Sequence, residues 1–92
     1  MYARVTTFEN ATAIDETAKQ IQGNDRPEGV PATAVYFMAD REAGKVLVVT
    51  LFETEADMKK GHETLMKMDP PGGGFGQRTS VELLEVVAHM TA

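Results

Sequence analysis

His62 is the residue of this chain best suited to moving a proton. It falls one helical turn after Met58 and about one turn before Leu65 and Met66, on the apolar side of a stretch with helical spacing. An imidazole titrates near neutral pH, so at this place it could take a phenolic or enolic proton. The plainer assignment is a packed histidine at the edge of an apolar face, bonded to water or backbone. His62-Glu63 is not a zinc-protease motif, because position 66 is Met and no second His follows at the needed spacing. With only His62 and His89, and no Cys, no metal site is expected.

Tyr2, Tyr36 and Arg4 are the next polar groups that strands would carry. Tyr36 could orient a substrate oxygen, and Arg4 could hold a carboxylate or a phenolate. The plainer assignment is a tyrosine at a sheet edge and an arginine paired with a carboxylate. Phe52 and Met58 complete the candidate substrate-binding set. The methionines otherwise read as core filler, although soft side chains also suit a pocket. Gly72-Gly73-Gly74-Phe75-Gly76 could be a lid with Phe75 as its plug, or a plain connection. It lacks the lysine and the strand-to-helix setting of a phosphate loop.

The elements that must position these groups follow from periodicity and turn residues. Tyr2 to Phe8 reads as a strand, with Tyr2, Arg4, Thr6 and Phe8 on one face by parity. Thr12-Ala13-Ile14-Asp15 has capping-box spacing, Ile14, Thr17 and Ala18 share a helical face, and Gly23 ends that helix. Prolines and glycine make a loop of Asp25 to Pro31. Ala32 to Ala39 and Lys45 to Phe52 are predicted strands, joined through Gly44 in a hairpin. Thr54-Glu55-Ala56-Asp57 is a second capping-box spacing, opening a helix that carries Met58, Gly61, His62, Leu65 and Met68 or Met66 on one face. Asp69-Pro70-Pro71 stops it, and Arg78 to His89 is the last strand. The order is β-α-β-β-α-β: an α+β, ferredoxin-like arrangement with a four-stranded antiparallel sheet and the first and third strands central.

Lys45-Val46-Leu47-Val48-Val49-Thr50-Leu51-Phe52 is apolar on both faces, so both must be covered. Two helices cover one face of such a sheet. The other is expected to pack against a second copy, giving a homodimer through the sheet faces. Ninety-two residues suit one domain over 1–92, and a 42% apolar fraction suits a folded chain. Nine basic against fourteen acidic residues, with no basic cluster, disfavour nucleic acid as a partner. No apolar run reaches the ~20 residues of a membrane span, and the start of the chain lacks signal-peptide character. The expected location is cytoplasmic.

Four segments carry a family resemblance: Tyr2-Ala3-Arg4-Val5-Thr6-Thr7, Asp40-Arg41-Glu42-Ala43-Gly44-Lys45, Thr50-Leu51-Phe52-Glu53-Thr54-Glu55, and Arg78 through Val87. Together they resemble antibiotic biosynthesis monooxygenase-like proteins of the dimeric α/β-barrel superfamily. The resemblance implies a cavity between sheet and helices in each subunit, and oxygenation of aromatic or quinol-type compounds without a cofactor. Many relatives have Trp where this chain has Phe52. Haem-degrading members use a first-strand Asn with a Trp and a His. Here no Asn precedes Asn10 and Trp is absent, so haem degradation is not expected. The expected function is a small homodimer that binds an apolar or aromatic molecule, with cofactor-independent monooxygenation as its enzymatic form. His62 would then be the base, with Tyr36 and Arg4 positioning the substrate. A non-catalytic ligand-binding or structural dimer is the alternative.

Overall fold

The computed structural model describes residues 1–23, 29–67 and 76–91. In chain order the elements are β1 (Tyr2–Glu9), α1 (Ile14–Gly23), β2 (Ala34–Asp40), β3 (Lys45–Phe52), α2 (Glu55–Lys67) and β4 (Gln77–Glu85). The strands form a four-stranded sheet in the order β2-β3-β1-β4, antiparallel throughout. This is an α+β layout compatible with a ferredoxin-like fold, with β1 and β3 at its centre.

Register decides which side chains meet the helices. Tyr2 lies opposite Phe52, Arg4 opposite Thr50, Thr6 opposite Val48 and Phe8 opposite Val46. These positions supply both core clusters. Phe52, Val30, Ala32 and Met58 form one, against Tyr2 and Leu65. Phe8 and Val46 form the other, against Ile14, Phe37 and Val48. Both helices therefore cover the same face of the sheet. Phe52 is 0% exposed, which by area contributes about 1.5–3 kcal/mol. Its ring lies over Gly61 on α2, where an added Cβ would stand 2.6 Å from Phe52 Cε1. A side chain at position 61 would overlap the ring.

The other face is open. It carries Val5, Leu47, Val49 and Leu51, all half-buried, with Tyr36 at 56%, Met38 at 48% and Leu84 at 45% exposure.

Element ends follow from local chemistry. Thr54 Oγ1 accepts the Asp57 amide at 3.1 Å, the cap that its spacing forecasts for α2. The other capping-box spacing does not open α1 at Thr12. The Ala13 carbonyl takes the first helical bond, from Thr17 N at 3.0 Å. Asp15 turns instead to Arg41 in the β2–β3 connection, accepting from both guanidinium nitrogens at 2.6 and 3.1 Å. Gly44 in that connection has φ of 65°, the left-handed geometry expected of a hairpin glycine. β2 starts at Ala34, later than Ala32, because Val30 and Ala32 sit in the core around Pro31. β4 stops at Glu85 rather than His89. Its pairing with β1 ends with Glu85 opposite Tyr2, and just beyond it Val86 N donates to Met1 O at 2.9 Å. The sequence readings on Asp25, Pro27, Met68 and the Gly72 to Phe75 segment fall outside the described residues.

Candidate functional site

Arg4 sits in the middle of β1 on the face turned to the helices, and it is only 5% exposed. His62 reaches it from α2, one turn beyond Met58, which is anchored in the core. Arg4 Nε donates to His62 Nδ1 at 3.1 Å. Arg4 Nη1 donates to Thr6 Oγ1 at 2.9 Å, two residues along the same strand face. Arg4 Nη2 donates to the Met66 sulfur at 3.6 Å, one turn beyond His62. The spacing of His62 and Met66 thus places both over one guanidinium.

The protonation states follow. An arginine keeps its charge in proteins, so Arg4 is a donor only. His62 Nδ1 must then be the acceptor, which makes the ring neutral and leaves its proton on Nε2. Burial, and then the Arg4 charge, hold His62 below the ordinary imidazole range; Glu63 opposes this and Arg78 adds to it. Arg4 is itself pulled down, first by burial and then by Arg78. Among the described residues, the groups that accept from Arg4 are uncharged: an imidazole, a hydroxyl and a thioether.

β4 borders the site. Leu83 lies opposite Arg4, Val81 opposite Thr6 and, past a register shift, Arg78 opposite Phe8. Val81 is half-buried, Leu83 is 39% exposed and Met66 44% exposed, so an apolar margin runs beside the buried cation. At its far end Glu85 accepts from the Tyr2 hydroxyl at 3.5 Å, and its charge is the main reason the Tyr2 hydroxyl titrates higher than usual.

The structure brings together two of the residues singled out from sequence, His62 and Arg4. It sets the others apart. Phe52 and Met58 lie in the neighbouring core cluster, Phe52 with no exposed surface with which to touch a ligand. Tyr36 lies opposite Val49, on the open face and away from Arg4 and His62. Thr6 shares Arg4's parity, so its place was open to sequence reasoning. Arg78 was not, because its position depends on the β1–β4 register shift between Thr7 and Phe8.

Among the described residues, no three His, Asp or Glu side chains gather as metal ligands would. No helix among them is long and apolar enough to cross a membrane. No family model, curated protein or solved structure matches the chain, so its function has to be argued from Arg4, His62 and their surroundings.

Proposed function

We propose that this chain binds a small apolar or aromatic molecule between the sheet and α2, at the margin formed by Arg4, His62, Met66 and Leu83. The observation that carries this reading is the Arg4–His62 contact at 3.1 Å: a buried cation and a neutral imidazole beside exposed apolar side chains. Ligand sites combine these ingredients, an apolar wall with a few convergent polar groups. The resemblance to monooxygenase-like proteins supports the same layer of the fold. Binding of 1-naphthol, followed by equilibrium dialysis, tests it. Saturable binding that His62→Ala weakens supports the site, and its absence removes the reading.

Catalysis is the further step. As cofactor-independent oxygenation of an anthrone-like CH2 group, it would insert one atom of O2 as a ketone and release the other as water. His62 serves as the base only when a phenolic or enolic oxygen draws Arg4 away, because Arg4 occupies the Nδ1 lone pair. That occupancy favours the second reading, a binding protein without chemistry. Oxygen uptake with hydroquinones and anthrones decides between them. Turnover lost in His62→Ala supports the enzyme, and equal rates in both proteins remove His62 from the mechanism.

The open face of the sheet supports a homodimer, two sheets packed face to face as in a dimeric α/β barrel. Such a pairing would cover its apolar centre together with the exposed Tyr36, Met38 and Leu84.

A further inference from the structure

We propose that the molecule bound at this site is an organic anion, a small carboxylate with an aromatic or apolar body, and that Arg4 and Arg78 are its charge anchors. The inference rests on the binding reading above and names the ligand class. Arg4 is only 5% exposed, and a buried charge is normally matched by a counter-charge, because one without it is unfavourable. This chain has fourteen acidic residues against nine basic ones. Among the described residues, no carboxylate pairs with Arg4. The ion pairs among the described residues are Arg41–Asp15 and Lys59–Glu55, both exposed, and Arg4 belongs to neither. Among the described residues, the charge that acts on Arg4 is that of Arg78, of the same sign.

Of the five N–H groups on a guanidinium, three have acceptors among the described residues, one of them a thioether, a weak acceptor. A carboxylate is the planar, two-oxygen group that such a fork fits. Arg78 stands further along β4, opposite Phe8, so an anion on Arg4 lies within its field. Met66 and Leu83 offer apolar contact to the body of the same molecule. The far end of β4 bears Glu85 with Tyr2, which sets the polarity of the margin: carboxylate toward Arg4 and Arg78, body toward Leu83.

The covering of the site follows from the same geometry. Arg4 points to the helices, whereas a second copy would pack on the opposite face of the sheet. A partner's carboxylate on that face does not reach the guanidinium, which accords with a ligand as the counter-charge.

Equilibrium dialysis of 1-naphthoate and 1-naphthamide against the full chain tests this. The two share the ring system and differ in charge. Naphthoate is expected to bind at least tenfold more tightly. Arg4→Gln should abolish the preference, and Arg78→Gln, at an exposed position, should weaken naphthoate severalfold and reduce its salt dependence. Equal binding of acid and amide, or a preference that survives in both variants, overturns the anion assignment while leaving an apolar site. Binding of neither compound overturns the site itself.

Discussion

Replacing Arg4 by Met tests whether the guanidinium serves the fold or a ligand. Arg4 donates to His62 and Thr6, and hydrogen bonds to a charged group contribute about 1.5–3 kcal/mol each, so their loss removes about 3–6 kcal/mol. Stripping water from an unpaired guanidinium costs several kcal/mol, and the substitution recovers that amount. The two contributions nearly cancel. Met is similar in length to the aliphatic part of Arg and stays against Met66 and Leu83 without a new cavity. The expected change in unfolding free energy is within about 2 kcal/mol of zero, read from the urea midpoint at an unchanged m-value. Excess 1-naphthoate should then stabilise the parent by about 2.7 kcal/mol at a hundred times Kd, and Arg4→Met not at all. A loss of about 3–5 kcal/mol without ligand, the range of a broken buried ion pair, would refute the cancellation. Joined to a parent that naphthoate does not stabilise, it would refute the assignment of Arg4 to a ligand.

His62 titrates low in the folded chain through burial first, then Arg4, with Arg78 adding and Glu63 opposing. Its contribution to stability is therefore complete above the unfolded value of about 6.5 and is lost as pH falls through the lower folded value. His62→Gln should flatten the stability profile in that acid window, and an unchanged profile would remove His62 as its source. Gly61→Ala should destabilise by about 1–3 kcal/mol, because the new Cβ meets Phe52 at 2.6 Å in a core without exposed surface; a neutral result in thermal unfolding would contradict the packing. Light scattering at micromolar concentration should give about twice the 10.0 kDa chain mass. Val49→Lys, at the centre of the open face, should return the monomer, and a parent that is already monomeric would exclude the sheet-face dimer.

Much of this fold can be read along the chain, for definite reasons. The strand Lys45–Phe52 is apolar on both faces, and parity along it separates Val46, Val48 and Phe52, which meet helices, from Leu47, Val49 and Leu51, which face outward. Thr54 and Asp57 mark the start of α2 because the cap is local. Asp15 misleads, since its carboxylate is drawn to Arg41, 26 residues away in sequence. The site divides along the same line. His62 and Met66 are four apart on a helix, and Arg4 and Thr6 two apart on a strand, so each pair is visible as a pair. That the two pairs meet depends on how α2 lies across β1. Tyr36 looked equivalent to Arg4 only because parity within one strand says nothing of parity in another. Register resolved it: Tyr36 lies across from Val49, and Arg4 across from Thr50.

The nitrogen NMR spectrum of the His62 ring tests the central claim most directly. In the free protein at neutral pH, His62 should show a bare Nδ1 acceptor and a protonated Nε2, distinct from the exposed His89, the other histidine of the chain. Titration with 1-naphthoate should move both His62 nitrogens as Arg4 re-pairs, and leave His89 where it was. A His62 ring protonated at Nδ1, or one that ignores the ligand, would contradict a site built on Arg4 and His62.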